Sequence, residues 1–167
     1  MHFGKIKFFD IANGPGIRTS LFVSGCSNHC KGCFNPETWD PNYGQNFTED
    51  YLNKILDSIN SNIAGLSILG GDPLEPCNID TVKAIIVAFR KRFNDTKTIW
   101  MWTGYKLENI VKNSKQWELA NMVDVLVEGP FILEQKNLNL KYRGSSNQRV
   151  IDMKASKLLN SCVLIEE

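Results

Sequence analysis

The sequence predicts an α/β protein built around a parallel sheet, and three observations lead to this prediction. Short β-rich runs alternate with helical patterns along most of the chain. The helical patterns carry apolar residues at the spacing of one helix face. Strands separated by helices form right-handed βαβ units, which make the strands parallel. Four such units favour a partial, open (βα) barrel, with a doubly wound sheet as the alternative.

Each of the four predicted strands ends in a glycine-bearing segment. The strands are Leu21–Val23 before Gly25, Leu66–Leu69 before Gly70-Gly71, Thr98–Trp102 before Gly104, and Val123–Val127 before Gly129. In parallel α/β folds, ligands bind at the carboxyl ends of strands. Glycine at such an end allows the backbone to approach a ligand closely. Four of these segments at one edge favour a ligand-binding rim over ordinary turns.

Helical segments are predicted between the strands. The first follows Thr48, a typical N-cap, and has an apolar stripe over Leu52–Ile59. The second is predicted to be capped by Asp80 and to bury a stripe over Val82–Phe89. A shorter third helix is predicted from Leu107, with an extension through Ala120 as the alternative.

A single domain is predicted over residues 1–167, with its core at about residues 10–130. Residues 131–167 are predicted to form a C-terminal loop and edge segment. Within it, residues 132–148 show no regular pattern and are expected to be mostly loop. Gln148–Asp152 is predicted to add a late edge strand.

The bulk composition excludes several functional classes. The 167 residues suit one domain, and 43% hydrophobic with 22% charged residues is typical of a globular protein. A net charge of +1 argues against nonspecific nucleic-acid binding. No apolar run approaches the ~20 residues of a membrane span, and the N-terminal residues lack a signal-peptide pattern. These features predict a cytoplasmic protein, whose thiols stay reduced.

Three of the five cysteines, Cys26, Cys30 and Cys33, lie within eight residues. Structural zinc sites and ordinary electron-transfer 4Fe-4S clusters each use four protein ligands. Only three thiols are close together here, so the pattern favours a 4Fe-4S cluster with one iron open for catalysis. The alternatives are a zinc site completed by His29 and a chance grouping of reduced thiols. Cys77 is expected to be a free thiol, as is Cys162.

The CxxxCxxC spacing resembles the signature of the radical S-adenosylmethionine (SAM) superfamily. Further motifs resemble its glycyl-radical-activating branch, and in particular the enzymes that activate anaerobic ribonucleoside-triphosphate reductases. The matching segments are Asn13–Arg18, Gly32–Asn35, Thr38–Trp39, Gly70–Leu74, Trp102–Lys106 and Arg143–Gln148. The resemblance covers residues 10–148 and implies a truncated partial barrel of the radical SAM type.

The resemblance implies three groups of site residues. The cluster ligands are Cys26, Cys30 and Cys33, and Gly32, Cys33 and Phe34 line the SAM pocket, with Phe34 stacked on adenine. Gly70, Gly71 and Asp72 form the strip that receives the amino group of SAM. A carboxylate at Asp72 suits this role because it accepts hydrogen bonds from an ammonium group; turn chemistry in the Asp-Pro pair is the alternative. No catalytic residue is implied beyond the cluster and SAM.

The chain departs from the wider superfamily at several positions. Gly32 replaces a common aromatic residue and Asp72 a common glutamate, and both changes match the reductase-activating branch. Leu69 stands where a small hydroxyl residue is expected. Glu128 stands where aspartate is frequent, and it is not expected to contact SAM.

Two other features have structural interpretations. Trp100 and Trp102 are predicted to pack in the core. Residues 143–147 are predicted to form a loop that faces a partner or the edge of the pocket, with a plain surface loop as the alternative.

The resemblance implies a reaction with a protein substrate. A flavodoxin-like reductant supplies an electron, SAM is cleaved, and a glycyl radical forms on the large subunit of anaerobic ribonucleoside-triphosphate reductase. The small chain is expected to leave the barrel open at one side, where that subunit enters. The compatible assemblies are a homodimer or a heterotetramer with the large subunit. Two alternatives stay open: a radical SAM enzyme acting on a small molecule, such as a deazaguanine-forming synthase, and a non-enzymatic zinc or iron–sulfur binding module.

Overall fold

The computed structural model describes residues 1–165, which form one seven-stranded sheet and four α-helices. The strands are β1 His2–Asp10, β2 Ile17–Val23, β3 Gln45–Asn46, β4 Ile63–Gly70, β5 Thr98–Thr103, β6 Val125–Glu128 and β7 Arg149–Asp152. The helices are α1 Glu49–Ser58, α2 Ile79–Phe93, α3 Lys115–Ala120 and α4 Met153–Leu159. Short 3-10 turns cover Pro36–Trp39, Leu107–Asn109 and Leu133–Gln135. None of the described helices is long and apolar enough to cross a membrane.

The centre of the sheet is parallel and both of its margins are antiparallel. The strand order is β3-β1-β2-β4-β5-β6-β7. Strands β2, β4, β5 and β6 pair in parallel, whereas β1 runs antiparallel to β2 and β3, and β7 to β6. Because β3 and β7 remain as edges, the sheet is not closed. The predicted α/β class with an open, parallel centre is confirmed.

The helices cover one face of this sheet. Side chains alternate along a strand, so Leu66 and Ile68 of β4 are buried in the core against the helices, while Ser67 faces the other side. The predicted apolar stripes are confirmed, because α1 and α2 both contribute their stripe residues to this core. No helix within residues 1–165 covers the opposite face, and Trp100 packs there with Val125, in line with its predicted core role.

Two predicted helix boundaries were wrong. Helix α2 begins at Ile79 with Asn78 in the N-cap position, so Asp80 lies in the first turn and is not the cap. The third helical pattern, which begins at Leu107, is interrupted because Ile110 is extended (ψ 124°) and Asn113 adopts a left-handed conformation (φ 64°). The chain therefore forms a 3-10 turn and then α3, whose N-cap Ser114 accepts a hydrogen bond from the backbone of Trp117 at 3.2 Å.

The ends of the chain contain elements that the sequence pattern did not reveal. Strand β1 extends the sheet beyond the first predicted strand, and the short β3 pairs with its beginning. Helix α4 follows β7 and is capped by Asp152, whose carboxylate accepts from the backbone of Ala155 at 2.8 Å. The predicted edge strand near residues 148–152 is confirmed as β7, and residues 132–148 are mostly loop, as expected.

A buried arginine joins three parallel strands on the uncovered face. Arg18 of β2 donates through Nη2 to the carbonyl oxygens of Leu66 and Thr98, both at 2.9 Å. Its Nε donates to the Ser67 hydroxyl at 2.7 Å, and that hydroxyl donates to the Asn13 carbonyl at 2.6 Å. Burial lowers the pKa of Arg18 to about 10, so it remains a cation at neutral pH. The Asn13–Arg18 motif therefore fixes the amino-terminal ends of β4 and β5.

Replacing this arginine should destabilise the fold. Arg18→Leu leaves the acceptors on Leu66 and Thr98 unpaired, which should lower the free energy of unfolding by roughly 3 kcal/mol or more. Urea unfolding of the cluster-free protein measures the change. Arg92→Leu is the matched control, because Arg92 forms a half-exposed ion pair with Asp57 and should cost less than about 1 kcal/mol. Equal losses of unfolding free energy in the two variants would contradict the role of Arg18 in holding β4 and β5 together.

Candidate active site

The uncovered face and the loops above it enclose a cavity of about 580 Å³. It lies beside the carboxyl ends of the parallel strands, where the glycine-bearing segments were predicted to form a rim. Seven of the eight residues predicted for the site line it: Cys26, Cys30, Cys33, Phe34, Gly70, Gly71 and Asp72. The eighth, Gly32, is outside the lining and forms a turn with φ 74° between two of the cysteines.

Backbone hydrogen bonds hold the start of the cysteine loop beneath this cavity. The N–H groups of Gly25 and Cys26 donate to the carbonyl oxygens of Thr38 and Trp39, at 2.8 and 3.2 Å. The next strand end packs directly against this loop. A Cβ atom on Gly71 would lie 2.6 Å from the Gly25 oxygen and 2.9 Å from the Thr38 oxygen. Only glycine fits this contact without moving the backbone.

Asp72 binds the strand ends and the cysteine loop together. Its carboxylate is almost fully buried and accepts from the backbone N–H groups of Leu74 (2.9 Å) and Gly104 (2.8 Å). The Thr103 hydroxyl lies 2.8 and 3.0 Å from its two oxygens, and the Asn28 side-chain amide lies 3.2 Å from Oδ2. These four donors match the roughly four acceptor positions of a carboxylate. Burial, the largest influence, raises the pKa of Asp72 to about 6.

A second carboxylate holds the same loop from its other side. Glu75 Oε1 accepts from the backbone N–H of Ser27 at 2.9 Å and from its hydroxyl at 2.5 Å. The Tyr105 hydroxyl lies 3.3 Å from the same oxygen. The Gly70–Leu74 and Trp102–Lys106 motifs are thereby connected to the cysteine motif through Asp72 and its neighbour in the turn.

The three thiols suit a cluster with one open iron. All are partly buried, and the other two cysteines, Cys77 and Cys162, are exposed and outside the cavity lining. The His29 ring stacks on Trp39, with centroids 4.8 Å apart, and does not line the cavity. Among residues 1–165, no three His, Cys, Asp or Glu side chains are grouped closely enough to hold a single metal ion, and this includes the three clustered thiols. In a 4Fe-4S cluster the cysteines bind different irons, so they need not meet at a single ion. Cys26, Cys30 and Cys33 line one cavity, as the ligands of a cluster would, whereas His29 does not line it.

The cysteine sulfurs also receive hydrogen bonds, which are known to tune iron–sulfur centres. The Cys33 sulfur accepts from the backbone N–H of Asn35 at 3.4 Å, and the Cys26 sulfur from the Asn28 side chain at 3.6 Å. Burial raises the pKa of the Cys26 and Cys30 thiols, so without iron these groups are protonated at neutral pH.

The remaining walls of the cavity are aromatic and cationic. The ammonium groups of Lys5 and Lys7 lie 4.6 and 5.6 Å from the centre of the Phe22 ring. Phe34 is 58% exposed, and its ring centroid is 5.2 Å from that of Phe131. Arg143 and Gly144 line the cavity, so the loop at residues 143–147 reaches the pocket edge, one of the two positions predicted for it.

Several of these lining residues were not predicted from the sequence to belong to the site. The alternation of Lys5 and Lys7 in the first ten residues was the only signal for a strand there. Trp102 packs against the core and also lines the cavity. Its ring N–H donates to the Tyr142 carbonyl at 2.7 Å. Asn28 lies inside the cysteine motif, but its partner Asp72 is 44 positions away, so no local pattern reveals the contact.

Glu128 is not among the residues that line the cavity. It is buried, and its carboxylate accepts from the backbone of Leu107 and pairs with Arg149, both at 2.5 Å. Leu69, in contrast, lines the cavity where a hydroxyl side chain was expected. It offers the site an apolar surface.

Comparisons with known proteins agree with this geometry. A family model described as a 4Fe-4S single cluster domain matches residues 12–151. Proteins named anaerobic ribonucleoside-triphosphate reductase-activating protein are similar in sequence over most of their length. Those of Salmonella typhi, Escherichia coli K12 and Enterobacteria phage T4 are 43%, 42% and 41% identical. The matches cover 84%, 90% and 90% of this chain and 92%, 97% and 93% of the relatives.

The chain belongs to the anaerobic ribonucleoside-triphosphate reductase-activating protein family. This membership confirms the resemblance seen in the motifs. The match to a 4Fe-4S domain favours an iron–sulfur cluster over zinc in this member of the activating-protein family. The three clustered cysteines and the Gly-Gly-Asp strip both fall within the matched residues 12–151.

The contact at Gly71 predicts a steric effect on cluster assembly. In Gly71→Ala the new methyl group would collide with two backbone carbonyl groups, which should shift the cysteine loop and lower iron and sulfide content after reconstitution. Gly4→Ala is the control, because a Cβ there meets first the ring of Tyr43, which is exposed and free to turn. Full iron content in Gly71→Ala would contradict the close packing of the strand end on the loop.

Asp72 predicts a pH dependence of folding. Its folded pKa of about 6 lies above its ordinary value of 3.8, so the folded state binds the proton more tightly. The resulting stabilisation is complete below about pH 4 and is lost as pH rises through 6, a change of about 3 kcal/mol. Urea unfolding of cluster-free protein between pH 4 and 7 should show that wild type loses stability relative to Asp72→Asn as pH rises. A difference that is flat with pH would refute the raised pKa.

Proposed function

We propose that this protein is a radical SAM activase that generates the glycyl radical on the large subunit of anaerobic ribonucleoside-triphosphate reductase. In this proposal Cys26, Cys30 and Cys33 hold a 4Fe-4S cluster, and SAM binds in the adjoining cavity. The observation that carries the proposal is the convergence of the three thiols and the Gly-Gly-Asp strip on one cavity, in a member of this family. The reaction class is that of an oxidoreductase acting on a protein.

The cluster and SAM, when bound, together supply a 5′-deoxyadenosyl radical that takes a hydrogen atom from the target glycine. The protein's own residues hold and orient these groups and exclude water. Cys26, Cys30 and Cys33 would hold the cluster and would leave one iron open, since no fourth cysteine of residues 1–165 lines the cavity. The open position is where SAM would be held.

The Gly70-Gly71-Asp72 strip is proposed to receive the amino group of SAM. Its position supports this role, because Gly70, Gly71 and Asp72 line the cavity together and Gly71 packs directly against the cysteine loop. The Asp72 carboxylate already has four internal donors, so its contribution is its negative charge and the support of Gly104. Phe34 offers an exposed ring for the adenine, and Gly32 supplies the turn that presents it.

A protein substrate fits the open architecture. The cavity is lined on one side by β1 and on another by the loop at residues 132–148, and the sheet does not close around it. In this proposal a second protein completes the wall on the side that the sheet leaves open. The glycine-bearing segment of the large subunit would do so, and a glycine Cα, which has no side chain, allows close approach.

The remaining partners follow from the same proposal. A flavodoxin-like protein would supply the electron, since iron–sulfur potentials reach about −700 mV and need a low-potential donor. The activase would form a homodimer or a heterotetramer with the large subunit. All five cysteines are unpaired, which suits the reducing conditions of the cytoplasm.

An activation assay tests the function. Anaerobically reconstituted protein with dithionite, SAM and the large reductase subunit should form 5′-deoxyadenosine and a glycyl doublet in the electron paramagnetic resonance (EPR) spectrum. Cys30→Ala should abolish both signals because it removes a cluster ligand. Cys77→Ala is the matched control and should retain both, since its thiol lies outside the cavity lining.

Each other outcome identifies an alternative. Deoxyadenosine without a doublet, together with turnover of a small pterin, would favour a radical SAM enzyme acting on a small molecule. A full cluster that yields neither signal would leave only a binding module.

A further inference from the structure

We infer that Asn28 is a positioning residue that raises the reduction potential of the cluster by donating a hydrogen bond to Cys26 and screening it from Asp72. The inference rests on the proposed function, because it requires a cluster on that cysteine. It assigns a task to a side chain that lies inside the CxxxCxxC motif but is not one of its ligands.

The geometry places one amide between two negative groups. Asn28 Nδ2 lies 3.6 Å from the Cys26 sulfur and 3.2 Å from Asp72 Oδ2. A side-chain amide nitrogen carries two N–H donors, so each acceptor can receive one. Asn28 also lines the cavity together with both partners, so the bridge is part of the site wall.

The orientation of this amide is fixed from the far side. Asp72 cannot turn away, because its carboxylate is held by the Thr103 hydroxyl at 2.8 Å and the Gly104 N–H at 2.8 Å. Space for the amide is provided by the missing side chain of Gly104, where a Cβ atom would lie 2.4 Å from Asn28 Nδ2. The Asn28 amide therefore has a defined space beside Gly104 as well as two hydrogen-bond acceptors.

The direction of the effect follows from electrostatics. Adding an electron to a cluster increases the negative charge on its sulfurs, and an N–H donor stabilises that charge. Removing Asn28 takes away this donor and leaves the sulfur facing the Asp72 carboxylate without an intervening dipole. Both changes disfavour the reduced state, so the cluster should become harder to reduce.

The test is a redox titration of reconstituted full-length protein, followed by EPR, without SAM or the large subunit. Asn28→Leu keeps the branched shape and the number of heavy atoms and removes both N–H donors. At a fixed potential the ratio of reduced to oxidised cluster should fall roughly three- to tenfold, tenfold being about 59 mV for one electron. Ser27→Ala is the matched control, since it removes a hydrogen bond to Glu75 from the same loop without touching a sulfur. Its potential should equal that of wild type.

The outcomes separate the inference from the function on which it rests. A wild-type potential in Asn28→Leu overturns the inference, even if activation is normal. If that variant takes up too little iron, the reduction potential is measured in Asn28→Ala instead. It must also fall below that of wild type. An equal shift in Ser27→Ala also overturns the inference, because it would indicate a general effect of the loop. A wild-type protein that binds no 4Fe-4S cluster would overturn the proposed function itself.

Discussion

The Asp72 carboxylate is enclosed by protein, and a buried charge is stable only when hydrogen-bond donors surround it. Its donors come from segments that are far apart in the chain. Leu74 lies in the turn after β4, Gly104 follows β5, and Asn28 belongs to the cysteine loop after β2. Satisfying this one charge therefore brings three strand ends together. The cavity and its thiols depend on that meeting point.

A second polar group controls the other end of the same face. Arg18 holds the beginnings of β4 and β5 through their carbonyl oxygens, and Ser67 ties the Asn13–Arg18 segment to it. The helices meanwhile pack against the opposite face with an apolar core. Polar contacts thus hold the strands at both ends, and the apolar core lies on the helix-covered face. The middle of the uncovered face is therefore left free. That space can hold a ligand, and its cationic walls come from β1.

The sequence was most informative where the signal was local. The apolar stripes of α1 and α2 show at helical spacing, and the cysteine motif and the Gly-Gly-Asp strip are contiguous. Prediction was poor where the outcome depended on tertiary contacts or on one backbone angle. The helical pattern from Leu107 breaks where Ile110 is extended and Asn113 is left-handed, which the apolar spacing around them does not reveal. Strand β1 is stabilised mainly by pairing with β2.

The site shows the same division between ligands and their supports. Cys26, Cys30 and Cys33 are recognisable from spacing alone, because metal ligands on one loop require it. Apart from Leu74, the partners of Asp72 and Glu75 are separated from them by 30 or more positions, so only the fold reveals them. These supports decide how the ligands are oriented and how their charge is balanced.

Isotope transfer from the target glycine to deoxyadenosine tests the central claim most directly. The large reductase subunit would be prepared with glycine deuterated at Cα and incubated with reconstituted activase, SAM and dithionite. Mass spectrometry of the 5′-deoxyadenosine should show one deuterium per molecule, at a yield that matches the glycyl radical. Stoichiometric deoxyadenosine without deuterium would contradict hydrogen abstraction from glycine and, with it, the assignment of the large subunit as substrate.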